Sequence, residues 1–352
     1  MHLFAPFAQR EIAFRNRIVV SPMCQYSCQD GCANDWHLVH LGSRAAGGAG
    51  LVIAEAAAVE ARGRISPEDL GIYDDRHIEP LSRITKFIRE QGSVAGIQIA
   101  HAGRKACTAQ PWKGGKPIAE SQGAWQPVAP TALAFDTDYQ IPKVLDEAAI
   151  LEIVHAFGRS AQRALAAGFQ VLEIHAAHGY LLHEFFSPLS NQRTDGYGGG
   201  YSERTLLVRQ VVSEVRKHWP ERYPLWLRIS STDWTEGGWD LEQSVELARQ
   251  VKALGVDLID CSSGGNVATA KIPVGPGFQT GFAARIRKEA DVPTGAVGMI
   301  TSPQQADHII RTGQADVVLL ARELLRNPHW PLLAARELGH PIPVPRQYAR
   351  AW

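Results

Sequence analysis

The chain has 352 residues, and its 36 lysines and arginines balance 36 aspartates and glutamates. That balance removes the electrostatic case for a nucleic-acid or membrane-surface partner and leaves a small molecule or another copy of the chain. With 32 glycines, 21 prolines and ordinary apolar content it reads as a large globular α/β protein, with no apolar run of roughly 20 residues. The N-terminus, MHLFAPFAQREIAF, lacks the basic start and apolar core of a signal peptide. A cytoplasmic location follows as the expectation, with Cys24, Cys28, Cys32, Cys107 and Cys261 all reduced.

In chain order, Arg17 to Met23 is an apolar first strand broken by Pro22, followed by the polar and aromatic loop CQYSCQDGCANDWH. Its Cys24-x3-Cys28-x3-Cys32 spacing misses by one residue the C-x3-C-x2-C loop of iron–sulfur barrels. A helix ends in glycines near Gly50, and a second strand runs to Val59, closing in small residues that let a flat ligand approach the backbone. Glu79 to Glu90 is an amphipathic helix closed by Gly92. The third strand, Val94 to Ala100, holds Gln98, a buried amide that must bond either the neighbouring backbone or a ligand. Residues 107–143 are rich in Pro, Gly and Trp without periodicity, as expected of an inserted lid.

Asp146 caps a long helix leading to a fourth strand over Phe169 to Ile174, and just past it come His175, His178 and Tyr180. Ser202 is expected to cap a helix to Trp219. Further strands are Pro224 to Ser230, with Arg228 near its end, Val256 to Ser262, Pro293 to Gly298 and Asp316 to Leu320; Ser302-Pro303 opens the helix between the last two. Eight strands alternating with helices predict a single (β/α)8 barrel over residues 1–352, with 340–352 as a C-terminal arm. A doubly wound protein of two domains is the alternative, but no linker divides the chain.

Titratable side chains at the carboxyl end of a buried strand are where such barrels build their sites. His175-x-x-His178 admits three readings: satisfied core histidines, a metal site without a carboxylate at HExxH spacing, or two imidazoles donating to one substrate oxygen with the Tyr180 phenol beside them. Arg228, an arginine within a strand, is either paired structurally or faces an anionic or polarised ligand. Gly298 and Arg322 stand where barrels place a phosphate, after the seventh and eighth strands. No GxGxxG or P-loop occurs, so a mononucleotide-type cofactor is expected rather than a dinucleotide in a Rossmann crevice.

The ordered motifs SPMCQYS, EAAAV, GIQIAHAGRK, EIHAAHGYLLHEFFSPLSNQRTDGYGG, LRIS, DCSSG, GAVGMIT, ARELLRNP and QYARAW resemble, over nearly the full length, the Old Yellow Enzyme family of FMN-dependent ene-reductases, most closely its bacterial subgroup of YqjM and xenobiotic-reductase type. The resemblance implies tightly bound, non-covalent FMN, with NADPH as reductant, and an activated alkene as substrate. It places Ser21, Pro22, Met23, Cys24, Ala56 and Gln98 around the flavin ring, with Gln98 on its pyrimidine edge and Cys24 near N5. Arg228 would face N1 and the C2 carbonyl. Gly298, Ala321 and Arg322 would take the phosphate, Ala321 standing where the family often has glycine. His175, His178 and Tyr26 would bind the substrate carbonyl and Tyr180 would give the α-proton in a ping-pong cycle. Arg350 would reach a neighbouring subunit's site in a homodimer or homotetramer, and no metal is implied. The alternatives are a flavin-free phosphate-binding barrel enzyme, which would need a Schiff-base lysine or metal cluster, and a non-catalytic flavin-binding protein, which would not need His175, His178 and Tyr180 together.

Overall fold

The computed structural model describes residues 1–352 and closes eight parallel strands into one barrel. The strands are β1 (Ile18–Val20), β2 (Leu51–Ala58), β3 (Val94–Ala100), β4 (Val171–Ala176), β5 (Leu225–Ser230), β6 (Leu258–Ser262), β7 (Thr294–Val297) and β8 (Val317–Leu320), each beside its sequence neighbour, with β8 returning to β1. Helices such as Asp35–Ala46, Ile78–Glu90 and Glu147–Ala166 connect them, so the (β/α)8 expectation is borne out. No helix is long and apolar enough to cross a membrane.

Strand alternation divides each β-strand between two environments. One face of the strands packs under the helices in a large apolar layer that includes Val20, Ile97, Ile174, Leu227 and Val318. The other face points into the barrel. Its lower part is a separate apolar cluster of Val19, Leu51, Ile53, Val94, Val171, Trp226, Leu258, Val297, Val317 and Leu319, joined by Ile12 and Phe14. Those last two come from the N-terminal hairpin, Phe7–Gln9 with Ile12–Phe14, which plugs the barrel floor. Gln9 Oε1 accepts the Trp226 indole N–H at 2.7 Å, satisfying the one polar side-chain group of that apolar cluster.

Two residues further along the same face the chemistry changes. The inward registers Val94-Gly96-Gln98, Val171-Glu173-His175, Trp226-Arg228 and Leu258-Asp260-Ser262 put a polar layer above the apolar one. β4 starts and ends two residues later than expected, because His175 and Ala176 still pair with Arg228 and Ile229 of β5. His175 thus lies inside the strand rather than just past it, and its ring is fixed by the barrel.

Other boundaries differ as well. Gly200, not Ser202, caps the helix after the central loop, and that helix breaks at Thr205 into Tyr201–Arg204 and Leu206–His218. The Thr205 hydroxyl donates to the Tyr201 carbonyl at 2.8 Å, a local bond that competes with the helical ladder. Residues 107–143 are largely irregular, with two short 3₁₀ turns, Pro111–Lys113 and Glu120–Gln122, and the two-residue pair Val128–Ala129 and Lys143–Val144. Trp112 in this segment meets Tyr26 edge-on at 5.8 Å.

The loops after β4 and β6 touch backbone to backbone. Gly179 has φ of +71°, and a Cβ there would lie 2.2 Å from the Gly265 carbonyl oxygen. Gly179→Ala combines a left-handed residue with a clash that no side-chain rotation relieves, so it should lower stability by at least about 1 kcal/mol. Thermal unfolding checks this; a melting temperature equal to that of the parent would contradict the close approach.

Candidate active site

Three rings stand at the top of β4. His175 meets His178 and Tyr180 edge-on, each with 5.1 Å between ring centroids. Burial first, and then the positive charge of Arg228, holds both imidazoles well below the usual histidine range, so they are neutral at pH 7 and carry one N–H each. His175 Nδ1 accepts the Ala177 backbone N–H at 3.2 Å, which leaves the proton on Nε2, an atom with no partner in the chain.

His178 is held from three sides in a left-handed conformation, with φ of +60°. Its N–H donates to Ser230 Oγ at 2.9 Å, and its carbonyl accepts from Lys105 Nζ at 2.9 Å, an amine that also donates to the Gly265 carbonyl at 3.0 Å. Nε2 lies 2.7 Å from Ser262 Oγ. The competing acceptor for that hydroxyl, Gln279 Oε1, is 3.5 Å away and already takes the Ser263 hydroxyl at 2.6 Å. Ser262 therefore donates to Nε2, and the His178 proton sits on Nδ1, again without a partner in the chain. Burial, then the neighbouring Cys24 and Tyr26, pushes the Tyr180 phenol well above its ordinary value, so it keeps its proton at neutral pH.

Below these rings lies the polar layer of the barrel. Gln98 Nε2 donates to Glu173 Oε1 at 2.8 Å, so the buried amide bonds neither backbone nor ligand on that side, and its carbonyl oxygen is open. Arg228 is paired structurally, as one of the two sequence readings expects, and keeps one nitrogen free. Its Nε lies 3.1 Å from Asp260 Oδ2 and its Nη1 donates to Ser21 Oγ at 3.1 Å, while Nη2 has no partner. Burial raises the carboxyls of both Glu173 and Asp260.

Beside the rings, the loop after β1 carries Ser21, Pro22, Met23 and Cys24. Gln25 N–H donates to Glu55 Oε2 at 2.9 Å and ties this loop to β2. Burial, then the charges of Asp69 and Glu55, pushes the Cys24 thiol well up, so it is not a thiolate. Tyr26 has φ of +50°, and Ala56 follows a bulge in β2. No group of three or more His, Cys, Asp or Glu side chains is placed to hold a metal; Cys28 faces His37 Nε2 at 3.3 Å instead.

A cavity of about 350 Å³ opens between the ends of β7 and β8, lined by Gly298, Ala321 and Arg322 together with Ser262, Gln279 and Thr301. Gly298 has φ of +122°, and a Cβ there would come 2.9 Å from Gln279 Nε2. Ala321, with φ of −106° and ψ of −95°, precedes the short helix Arg322–Arg326. Arg322 is exposed and free of hydrogen bonds, because the nearby Glu323 pairs with Arg326. Arg350 lies in the exposed 3₁₀ turn Arg346–Ala351 and makes no hydrogen bond or ion pair within the chain.

The open donors and acceptors suit FMN. A carbonyl at Gln98 and a guanidinium N–H at Arg228 match the alternating pyrimidine edge of a flavin. The alanine wall of β2 leaves room for a flat ring, and the cavity with its unpaired Arg322 suits a phosphate. Four contributors went unnoticed in the sequence: Glu173, Asp260, Lys105 and Ser262. The first two carry the same signal as Gln98, a polar residue inside an otherwise apolar strand.

A parallel barrel with this set of groups at its carboxyl end defines a flavin-dependent oxidoreductase. Residues 2–340 match the NADH:flavin oxidoreductase / NADH oxidase family. The chain is 47% identical over 352 residues to an NADPH dehydrogenase of Geobacillus sp. (strain WCH70), covering 99% of this chain and 98% of that one. It is 46% identical over 352 residues to an NADPH dehydrogenase of Bacillus subtilis (strain 168), covering 99% of each. The solved Old Yellow Enzyme homologue of Zymomonas mobilis superposes with a TM-score of 0.79 at 25% identity, over 98% of this chain and 94% of that one. The chain belongs to the NADH:flavin oxidoreductase / NADH oxidase family, and it is an FMN-dependent oxidoreductase of the Old Yellow Enzyme kind.

Replacing Arg322 by Met removes charge-assisted bonds worth about 1.5–3 kcal/mol, so FMN affinity should fall roughly 10- to 100-fold. Titration of the apoprotein with FMN by fluorescence quenching reads the affinity, and the apoprotein's melting temperature should not move, because the side chain is exposed. Unchanged affinity would remove Arg322 from the phosphate site.

Proposed function

We propose that the protein reduces the C=C bond of α,β-unsaturated carbonyl compounds, and of related nitro compounds, at the expense of NADPH. The observation that carries this reading is the pair of neutral imidazoles with partnerless N–H groups, edge-on to each other and to a protonated phenol. Relatives of similar length named NADPH dehydrogenase support the choice of reductant. FMN, when bound, supplies hydride transfer, first from NADPH and then to the β-carbon of the alkene.

His175 Nε2–H and His178 Nδ1–H donate to the carbonyl oxygen of the substrate. Negative charge builds on that oxygen as the β-carbon becomes saturated, so each bond strengthens toward the transition state. A preorganised donor of this kind contributes about 2.7–4 kcal/mol. Because burial keeps both rings neutral, they orient and polarise the carbonyl and do not protonate it. Tyr180, its proton retained by burial, delivers that proton to the α-carbon. Tyr26, braced by Trp112, approaches the carbonyl from the side of the 107–143 segment, which acts as a lid. Nicotinamide and alkene use the same place in turn, which gives ping-pong kinetics.

The decisive experiment is optical. Protein loaded with FMN should be bleached by NADPH under anaerobic conditions and recoloured by 2-cyclohexenone. A flavin-storing protein would bleach slowly or not recolour, and a flavin-free barrel would not be yellow. Tyr180→Phe should bleach at the parental rate and recolour about 10²- to 10⁴-fold more slowly, the usual range for a lost general acid. Stopped-flow absorbance separates the two halves, and equal recolouring would take Tyr180 out of the role.

We also propose a homodimer, or a tetramer of dimers, in which Arg350 completes the site of the neighbouring subunit. An exposed arginine without a partner in its own chain supports this reading. Removing Arg350 to Trp352 should raise KM for the alkene. Steady-state kinetics identical to the full chain would count against the arm.

A further inference from the structure

The floor beneath the proposed flavin place holds more acid than base. Glu173 and Asp260 are both 0% exposed, inside a barrel sealed below by the apolar plug, and Arg228 is the one cation bonded among them. The groups facing Glu173 are Gln98 on β3, His175 on its own strand, Arg228 on β5 and Asp260 on β6. Just past β1, the neutral Ser21 bonds Arg228, and the inward residues Ala56 of β2, Val297 of β7 and Leu319 of β8 carry no charge. Glu173 Oε1 accepts only a neutral amide N–H, Oε2 meets no donor, and both Asp260 oxygens lack a hydrogen bond beyond the Arg228 contact.

Two ionised carboxylates on one guanidinium would leave one negative charge buried without compensation, which a low-dielectric interior strongly disfavours. One of the two therefore keeps its proton. Asp260 has the guanidinium against it, and Glu173 has only the amide. The proton belongs on Glu173. The floor is then neutral overall, and Nη2 of Arg228 remains without a partner in the chain.

We propose that Glu173 is a positioning residue that works by staying uncharged, so that Arg228 can stabilise the electron-rich reduced flavin above a floor without net negative charge. The proposal rests on the reading that FMN lies over Gln98 and Arg228. Glu173 keeps its proton throughout the cycle. The hydride from NADPH carries two electrons and one proton to the cofactor and leaves NADP⁺, so the balance of the reaction is unaffected. Ionising Glu173 would place a negative charge under the ring and disfavour its reduction. Burial and then Asp260 push the Glu173 carboxyl up to about 8, so this loss falls above neutral pH. The sign follows from linkage: the neutral form favours the reduced cofactor, and raising the pH through the titration of Glu173 removes that support.

The test is the midpoint potential of the bound FMN as a function of pH, in the parent and in Glu173→Gln. Below pH 7 the two curves should coincide, because the amide copies the neutral acid. Through the titration of Glu173 the parent should fall more steeply, and Glu173→Gln should lack that extra step. Asp260→Asn, which removes the charge that holds the proton on Glu173, should move the step to lower pH. Infrared spectroscopy gives a reading independent of the flavin: the apoprotein at neutral pH should show a buried carboxylic-acid band that Glu173→Gln loses. An extra step that persists in Glu173→Gln, or an infrared spectrum without that band, would overturn the proposal. Should FMN fail to bind, or bind without being reoxidised by an enone, the functional reading fails first, and the infrared band still decides the charge state of Glu173.

Discussion

Everything at the top of this barrel depends on one constraint: polar and titratable side chains are enclosed where water does not compensate them. The inward face of each strand is apolar for its first residues, and Gln98, Glu173, Arg228 and Asp260 follow two residues later. Enclosure decides the charge of each group. It makes His175 and His178 neutral donors, keeps the protons of Tyr180 and Cys24, and raises two carboxyls. In water the same residues would titrate near their ordinary values and offer no fixed pattern of donors.

A fixed pattern also requires fixed orientation, and here the backbone acts. His175 lies in the strand itself, with Nδ1 occupied by the Ala177 N–H. His178 adopts a left-handed conformation that its bonds to Ser230, Ser262 and Lys105 stabilise. Lys105 is the less obvious member of this set. It bridges the loops after β4 and β6 by donating to a carbonyl of each, and the Gly179 and Gly265 contact lets those loops approach. The tautomer of His175 is thus set by the backbone of its own loop and that of His178 by Ser262 at the end of β6, while Ser230 and Lys105 fix the His178 backbone.

The architecture was legible in the sequence because eight short apolar runs alternate with amphipathic segments, and because polar residues cluster after the fourth, seventh and eighth of them. His175, His178, Tyr180 and Arg322 stood out for that reason, and Arg228 as an arginine within a strand. Glu173 and Asp260 did not, although VLEIHA and LIDCS each place a carboxylate inside a buried strand. Their partners come from neighbouring strands, and pairing across strands is invisible in a linear reading. Lys105 did not stand out for the same reason, since its acceptors lie 73 and 160 residues away. The break at Thr205 and the later start of β4 are local competitions, hydroxyl against helix ladder and strand pairing against loop, that composition does not decide.

Two neutral imidazoles present opposite ring nitrogens as free donors, and the proposed activity requires both to meet one substrate oxygen. Nitrogen-15 chemical shifts of the histidine rings in the FMN-loaded protein at neutral pH measure this directly. Two neutral rings are expected, protonated on Nε2 at His175 and on Nδ1 at His178, with both N–H resonances shifting when a carbonyl ligand binds. An imidazolium at either position, or His178 protonated on Nε2, would contradict this assignment.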